Sequence, residues 1–537
     1  MKTQGEKTYW PIEGAAHDNV GRDSIYINHK VKTFLDLEKE PIIIASKGMG
    51  KTLLLRSKKK ILEDRCDGQI IIPRDQEYDE PKIFGTLPRS YAGFKSPEFW
   101  TDLWRASILF SILTHGSAAG SSGTAPGDSA SALTDLLDRL PLDRPFIDEL
   151  SNDISHRTLY NPSHYLGALL MRGTTVAEKL RRAAYLLQTI SQRMLHSGVC
   201  VFIDAFDQTL TDHFASDLEV WRNAQIGLVL ASHYLNTENN HIKVFASIRQ
   251  EAFAGYFGQH REVIKGKAIL LDYAYEELRE MFEKAVQLYS PYRTIEAFLG
   301  CAQIRNDVFQ KDENSFAYIY RHSSGTPRSI MYLGQVLSNS ANPTASPDVN
   351  ENKIKQTVNQ MAARSILEDY WKGQKAIFLK TLCDDSSIAT FLSLIPTNIL
   401  NVRAMRAVNR HFAQLRGLQE SDSHPFCELY NIGLLGTHRA HPATLRQYQR
   451  FKKPNDFDWK QAEMIQADGL YFIHPALHGD LVDSNPHYRI NRRCLIGDGN
   501  EWPCAPELQI LPRIFLSHSS LDRACPKSAV FRTCIRL

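Results

Sequence analysis

The sequence predicts an α/β protein: a parallel β-sheet with helices on both faces, followed by smaller helical and mixed domains. Three observations carry this. From Asn19 to about Leu270, short apolar runs alternate with segments of helical periodicity, the pattern of a sheet built by β-α-β crossovers. The run Ile42–Ile44 enters a glycine-containing loop and then an amphipathic helix. A second apolar run, Val199–Ile203, stops at an acidic residue, Asp204.

The bulk numbers bound what such a chain can be. Its 537 residues allow three or four domains at roughly 150 residues each. Hydrophobic content of 43% and charged content of 23% are those of a globular chain with large cores. A net charge of +3 makes any nucleic-acid surface a local one. The N-terminus lacks the apolar core of a secretory signal, and the apolar runs fall far short of the ~20 residues of a membrane span. Nine cysteines without a C-x-x-C pair fit a reducing compartment. The expectation is a cytoplasmic protein with no membrane partner. His474 and His478 are separated by Pro475 and have no neighbouring cysteine or acidic pair, so they do not read as a metal site.

The elements then follow in order. Residues 1–270 form the α/β domain. Within it "PEFWTDLWRASILFSIL" sets Phe99, Trp100, Leu103, Trp104 and Ile108 at helical spacing, an amphipathic helix turned to a core. The low-complexity stretch that follows, residues 114–132, is expected to be a flexible surface insertion. Residues 271–345 read as helical, with Leu278, Met281, Phe282, Ala285 and Leu288 on one helix face. Residues 346–490 mix helices with short strands. A Gly- and Pro-broken linker spans 491–512, and at 513 the stretch "RIFLSHSSLDRA" begins a further strand and loop.

The strongest chemical signal is Ala45-Ser46-Lys47-Gly48-Met49-Gly50-Lys51-Thr52 between the strand and its helix. The spacing is that of G-x-x-x-x-G-K-[ST], with Ala45 in the first glycine's place. Gly48 and Gly50 permit the tight loop whose N–H groups face phosphates, and the following helix N-terminus, from Leu53 on, favours the same anion. Lys51 would reach the β- and γ-phosphates of a nucleotide, and the Thr52 hydroxyl would ligate Mg²⁺. The bland alternative is a strand-turn-helix with a chance GKT.

Asp204 at a strand end is the carboxylate such a site needs to hold Mg²⁺ through water. The next residue is Ala205, and Asp207 is the nearest substitute base. A third strand, Ile242–Ala246, ends in Ser247 and Arg249. This pair is placed either to sense a γ-phosphate or, for the arginine, to lie on the surface. Further on, Gly325, Pro327 and Arg328 open a helix from which Arg328 can reach a nucleotide; a proline at a first helical turn is also sufficient by itself.

Taken in order, these features resemble the STAND and AAA+ branch of P-loop ATPases over about residues 19–340. "NVGRD", with Gly21 and Arg22, resembles the Gly-Arg element that helps form the adenine pocket in those families. Asp204 matches the Walker B aspartate, Arg249 the position after the sensor strand, and "GTPR" the turn of the helical lid. The resemblance implies an ATPase with ATP and Mg²⁺ as cofactors. Ala205, standing where many members carry the catalytic glutamate, implies slow hydrolysis. No LSGGQ-like signature of ABC ATPases follows the loop.

Residues 346–490 resemble a winged helix. In STAND proteins that module packs on the ATPase as part of the switch. Alternatively Arg403, Arg406, Arg410 and Arg416 line a DNA-reading helix, or are simply a solvated face. Residues 513–523 resemble the opening of a TIR domain, a flavodoxin-like fold. This implies an effector of which the chain, ending at Leu537, carries only the start, without the family's NAD⁺-cleaving glutamate. An ordinary C-terminal strand is the alternative. The expectation is an ATP-bound switch that homo-oligomerises on a protein or phage-derived signal to control a TIR effector in antiphage defence. The competing expectation is a DNA-binding AAA+ ATPase of initiator or loader type.

Overall fold

A computed structural model describes residues 10–12, 25–36, 40–65, 69–73, 92–119, 138, 144–156, 160–171, 179, 198–204, 217–306, 311–340, 346–366, 381–382, 384–419, 425–440, 447–457, 469–489 and 501–503. The chain divides into two compact units. The first comprises His17–Ser46 and Gly50–Leu271; the second comprises Met1–Ala16, Lys47–Met49 and Asp272–Leu537.

The first unit is built in the order α1 (His29–Asp36), β1 (Ile42–Ile44), α2 (Lys51–Asp64), β2 (Ile70–Ile72), α3 (Pro97–Ala119), α4 (Arg144–His156), α5 (Pro162–Met171) and β3 (Val199–Ile203). It continues with α6 (Leu218–Glu238), β4 (Ile242–Ile248), α7 (Gln250–Ala254), α8 (Arg261–Lys265) and β5 (Ala268–Leu270). The five strands form one sheet, in the order β2-β3-β4-β1-β5, and every pair is parallel. Every residue of β1 and β3 is buried, and successive side chains of a strand point to opposite faces, so both faces are covered. On one face Phe202 stacks on Phe245 (4.9 Å), Phe34 of α1 meets Phe245 edge-on, and Lys58 of α2 sets its ammonium 5.5 Å from the same ring. The buried Lys58 ammonium is satisfied by the Leu35 carbonyl at 2.9 Å.

Two expectations are corrected here. Strand β4 runs two residues past Ala246, because Ser247 and Ile248 pair with Ile43 and Ile44 of β1. Ser247 therefore lies inside the sheet. Helix α3 continues through Ala119, so the first six residues of the expected insertion are helical; the remainder, 120–132, lies outside the described residues. Thr114 and His115 are buried and bond back to the preceding turn, Thr114 Oγ1 to the Ser111 carbonyl (3.0 Å) and His115 Nδ1 to the same oxygen (2.8 Å). Small polar side chains that look solvated in sequence thus extend the helix. Over its first turns α3 is amphipathic, with Glu98, Asp102 and Arg105 on one face and Arg105 paired with Glu238 (2.7 Å); from Ala106 to Gly116 it is buried all round, covered by α6, α5, α4 and β2.

In the second unit α9 (Tyr275–Tyr289), α10 (Ile295–Leu299), the hairpin β6 (Gln303–Asn306) and β7 (Lys311–Asn314), α11 (Ser315–Arg321), α12 (Pro327–Ser340) and α13 (Pro347–Ile366) come first. Trp10 packs among Phe282, Tyr289 and Phe298, and its carbonyl accepts from Gln335 Nε2 at 2.9 Å. Leu278, Met281, Phe282 and Ala285 are buried as the periodicity predicts. Leu288 is 40% exposed, because it falls at the edge of a stripe whose last turn is held by Val286 and Tyr289.

The rest of this unit runs α14 (Asp385–Leu394), β8 (Ile399–Asn401), α15 (Val402–Arg416), α16 (Pro425–Asn431), β9 (Leu435–Ala440), β10 (Gln447–Arg450), β11 (Leu470–Ile473), α17 (His478–Ser484) and β12 (Glu501–Pro503). The strands form an antiparallel sheet in the order β12-β10-β9-β11-β8. Phe391, Phe412 and Phe426 close its core. Among the described residues no helix is long and apolar enough to cross a membrane.

Candidate phosphate-binding and cation site

The loop after β1 owes its shape to its residue types. Ala45 continues the strand pairing: its N–H donates to the Ile248 carbonyl (3.2 Å) and its carbonyl accepts from Gln250 N (3.3 Å). Alanine makes both bonds as a glycine would. Ser46 is buried. Gly48 and Gly50 have φ of +83° and +90°, the left-handed region that disfavours a side chain. Gly50 is the N-cap of α2 and supplies no side-chain acceptor. The first N–H groups of α2, over Lys51, Thr52 and Leu53, therefore lack the usual cap, the condition under which a helix N-terminus takes an anion.

Lys51 Nζ donates to the carbonyls of Ala45 (2.9 Å) and Ser46 (3.2 Å). The ammonium is thus held over the loop by its own backbone. Met49 is buried, and Lys47 and Thr52 are half-buried. In the second unit, which contains Lys47–Met49, Arg328 N donates to the Gly48 carbonyl at 3.1 Å. A Cβ on Gly48 would lie 3.2 Å from Thr326 Oγ1 and 3.3 Å from Arg328 Cβ, so a glycine is needed there for space as well as for φ.

Asp204 follows β3 and is 6% exposed. The β3–β4 register pairs Ile203 with Ala246, which sets Asp204 beside Ser247, and Ser247 Oγ donates to Asp204 Oδ1 at 2.5 Å. Asp204 Oδ2 is buried and has no hydrogen-bond partner among the described residues. Since β4 alone separates β3 from β1, the ends of β1 and β3 stand about 10 Å apart, two strand spacings. A buried carboxylate oxygen without a donor, with a hydroxyl at Thr52, fits Mg²⁺, which takes oxygen ligands and keeps several waters. Among the described residues no group of three or more His, Cys, Asp or Glu is placed to hold a metal by itself.

Arg249 lies at the end of β4 and is 2% exposed, which overturns the surface-arginine alternative. Its N–H donates to Gln225 Oε1 of α6 at 2.9 Å. Gln225, itself buried, carries no motif that would single it out in sequence. Gly21, Arg22, Asp207 and the whole of 513–537 lie outside the described residues.

The two histidines set aside as metal ligands have structural roles. His474 Nδ1 accepts from Ala476 N (3.2 Å), capping a short 3₁₀ turn, and burial pushes its pKa down to about 3. His478 reaches the Tyr488 hydroxyl at 3.4 Å.

No protein-family model matches the chain, and no curated protein matches it as a relative.

Proposed function

We propose that the chain is an ATP-binding switch of the STAND/AAA+ kind, hydrolysing slowly and assembling on a signal. The observation that carries the reading is the loop itself: Gly48 and Gly50 in the left-handed region, an uncapped helix N-terminus, and Lys51 held at the loop mouth. Lys51 and the α2 amides would bind the phosphates, Thr52 and Asp204 would hold Mg²⁺, and Arg249 would act on the γ-phosphate side. Bound Mg²⁺ would offset phosphate charge. A TIR effector in antiphage defence belongs to the same proposal and rests on the sequence resemblance; cytoplasmic location belongs to it too and rests on the cysteine usage and the N-terminal sequence. The test is ATP binding by the purified chain with Mg²⁺. Lys51→Ala is expected to weaken it at least ~100-fold, a lost charge-assisted contact of about 2.7 kcal/mol or more; equal binding by the variant removes the reading.

A second reading, a DNA-binding AAA+ ATPase, is favoured by Arg403 and Arg406, both exposed on α15 with Arg410 half-buried beside them. The order α14-β8-α15-α16-β9-β10-β11, with β11 between β8 and β9 in the sheet, supports a winged helix. Two features weigh against base reading. Arg416 is engaged by Asp384 (2.9 Å) and Ser386 (3.1 Å). The short helix α16 has no basic residue, and its Glu428 accepts from the N–H groups of Thr381 and Leu382. Duplex binding at low salt that Arg403→Ala with Arg406→Ala weakens would decide for DNA.

A further inference from the structure

We propose that Ser247 is a positioning residue for the divalent cation, acting through the Asp204 carboxylate and not on the phosphate. This deepens the nucleotide reading above and rests on it. Read from sequence, a polar residue at the end of the third strand is placed to touch a γ-phosphate. The structure gives its hydroxyl another task. Ser247 sits inside β4, level with Ile43 of β1 on one side and Asp204 on the other. It is 2% exposed, and its hydroxyl donates to Asp204 Oδ1 at 2.5 Å.

That bond has two consequences. It fixes the rotation of the carboxylate about its Cβ–Cγ bond, because a donor anchored in a paired strand cannot follow the carboxylate round. It also occupies Oδ1 and leaves Oδ2, buried and without a hydrogen-bond partner among the described residues, as the oxygen available to a cation or its water. A buried carboxylate oxygen without a donor is costly, and a cation or its bound water at Oδ2 would offset that cost. Donors standing behind a metal-binding carboxylate or histidine orient it, and their loss typically costs about 10–100-fold in metal affinity.

The test measures ATP binding by the full chain in EDTA and across a Mg²⁺ titration, with Mn²⁺ resonance on the ATP complex as a direct cation readout. Ser247→Ala is expected to bind ATP as the wild type does in EDTA. The Mg²⁺ or Mn²⁺ concentration at half-effect should rise about 10–100-fold. Ser247→Thr, which keeps the hydroxyl on a strand-favouring side chain, should restore it. Ser247→Cys, close in volume but a weak donor, should fall between, and carries the comparison if the alanine variant does not fold. In an Asp204→Asn background, Ser247→Ala should add nothing further. An unchanged cation half-point in the alanine or cysteine variant overturns the proposal, as does an equal loss of ATP binding with and without cation. A wild type that binds no ATP, or binds it regardless of Lys51→Ala, overturns the nucleotide reading and this proposal with it.

Discussion

At the scale of single residues, the Lys51 charge is held at the loop by carbonyls, while buried histidines are held neutral. Lys51 rests on two carbonyls, a partnership that a phosphate can outbid because an anion accepts more strongly than a neutral carbonyl. The buried histidines of the second unit show the opposite case. His474 is held at a pKa of about 3 by burial, and His322 well below its usual value by burial and then by the Arg321 guanidinium. His478 is lowered by burial and then by Arg321, while Glu313 pairs with Arg321 beside them. The folded state therefore keeps these rings neutral, while the unfolded chain takes up their protons below about pH 6.5. For His474 stability is present in full above that pH and is lost as pH falls toward its folded value of about 3, at up to about 1.4 kcal/mol per pH unit, and His322 and His478 add loss in the same direction. Urea unfolding of the second unit should show a midpoint that drops between pH 7 and pH 5. His474→Asn keeps an acceptor for Ala476 N and cannot titrate, so it should make that dependence shallower by about one proton. An unaltered slope would show that His474 is protonated in the fold.

At the scale of elements, the first unit depends on a close helix crossing that no motif announces. A Cβ on Gly227 of α6 would overlap Trp100 Cβ of α3 and lie 2.8 Å from the Trp100 carbonyl carbon and 2.9 Å from Thr101 N. Two of these atoms are backbone, so no rotamer change relieves the contact. Gly227→Ala should cost about 1–3 kcal/mol by overpacking, read as a lowered midpoint of thermal unfolding. A midpoint equal to the wild type would mean that the helices part without cost. The same crossing shows where sequence reading stops. β1, α2 and the strand ending at Asp204 were legible because each is written in consecutive residues: a triple isoleucine, a glycine-bearing turn, an apolar run closed by an acid. The sheet order was not, since pairing of β2 with β3 joins Ile70 to Val199 across a long insertion. The Ser247–Asp204 bond depends on register between strands 43 residues apart, and the burial of Arg249 on what α6 lays over the end of β4. Short apolar runs reveal a strand; only its neighbours determine what its last residue touches.

At the scale of the whole molecule, two compact units in one chain make a single unfolding midpoint an incomplete description, because each has its own core. Under the proposed function ATP would bind the folded state alone, and at about 100 times its Kd would add roughly 2.7 kcal/mol to the structure that unfolds with Lys51 and Asp204. A scan of the full chain should therefore show the transition of the first unit rising with ATP and Mg²⁺, and staying in place in Lys51→Ala. If the proposed switch works by assembly, the same additions should convert the particle mass measured by light scattering from one chain to an integer multiple of it. Loss of nucleotide or of Lys51 should return the single-chain mass. A rise in the first transition at constant mass would leave an ATP-binding protein and remove the assembly. A mass increase that Lys51→Ala shares would show that the chains associate through surfaces indifferent to the nucleotide.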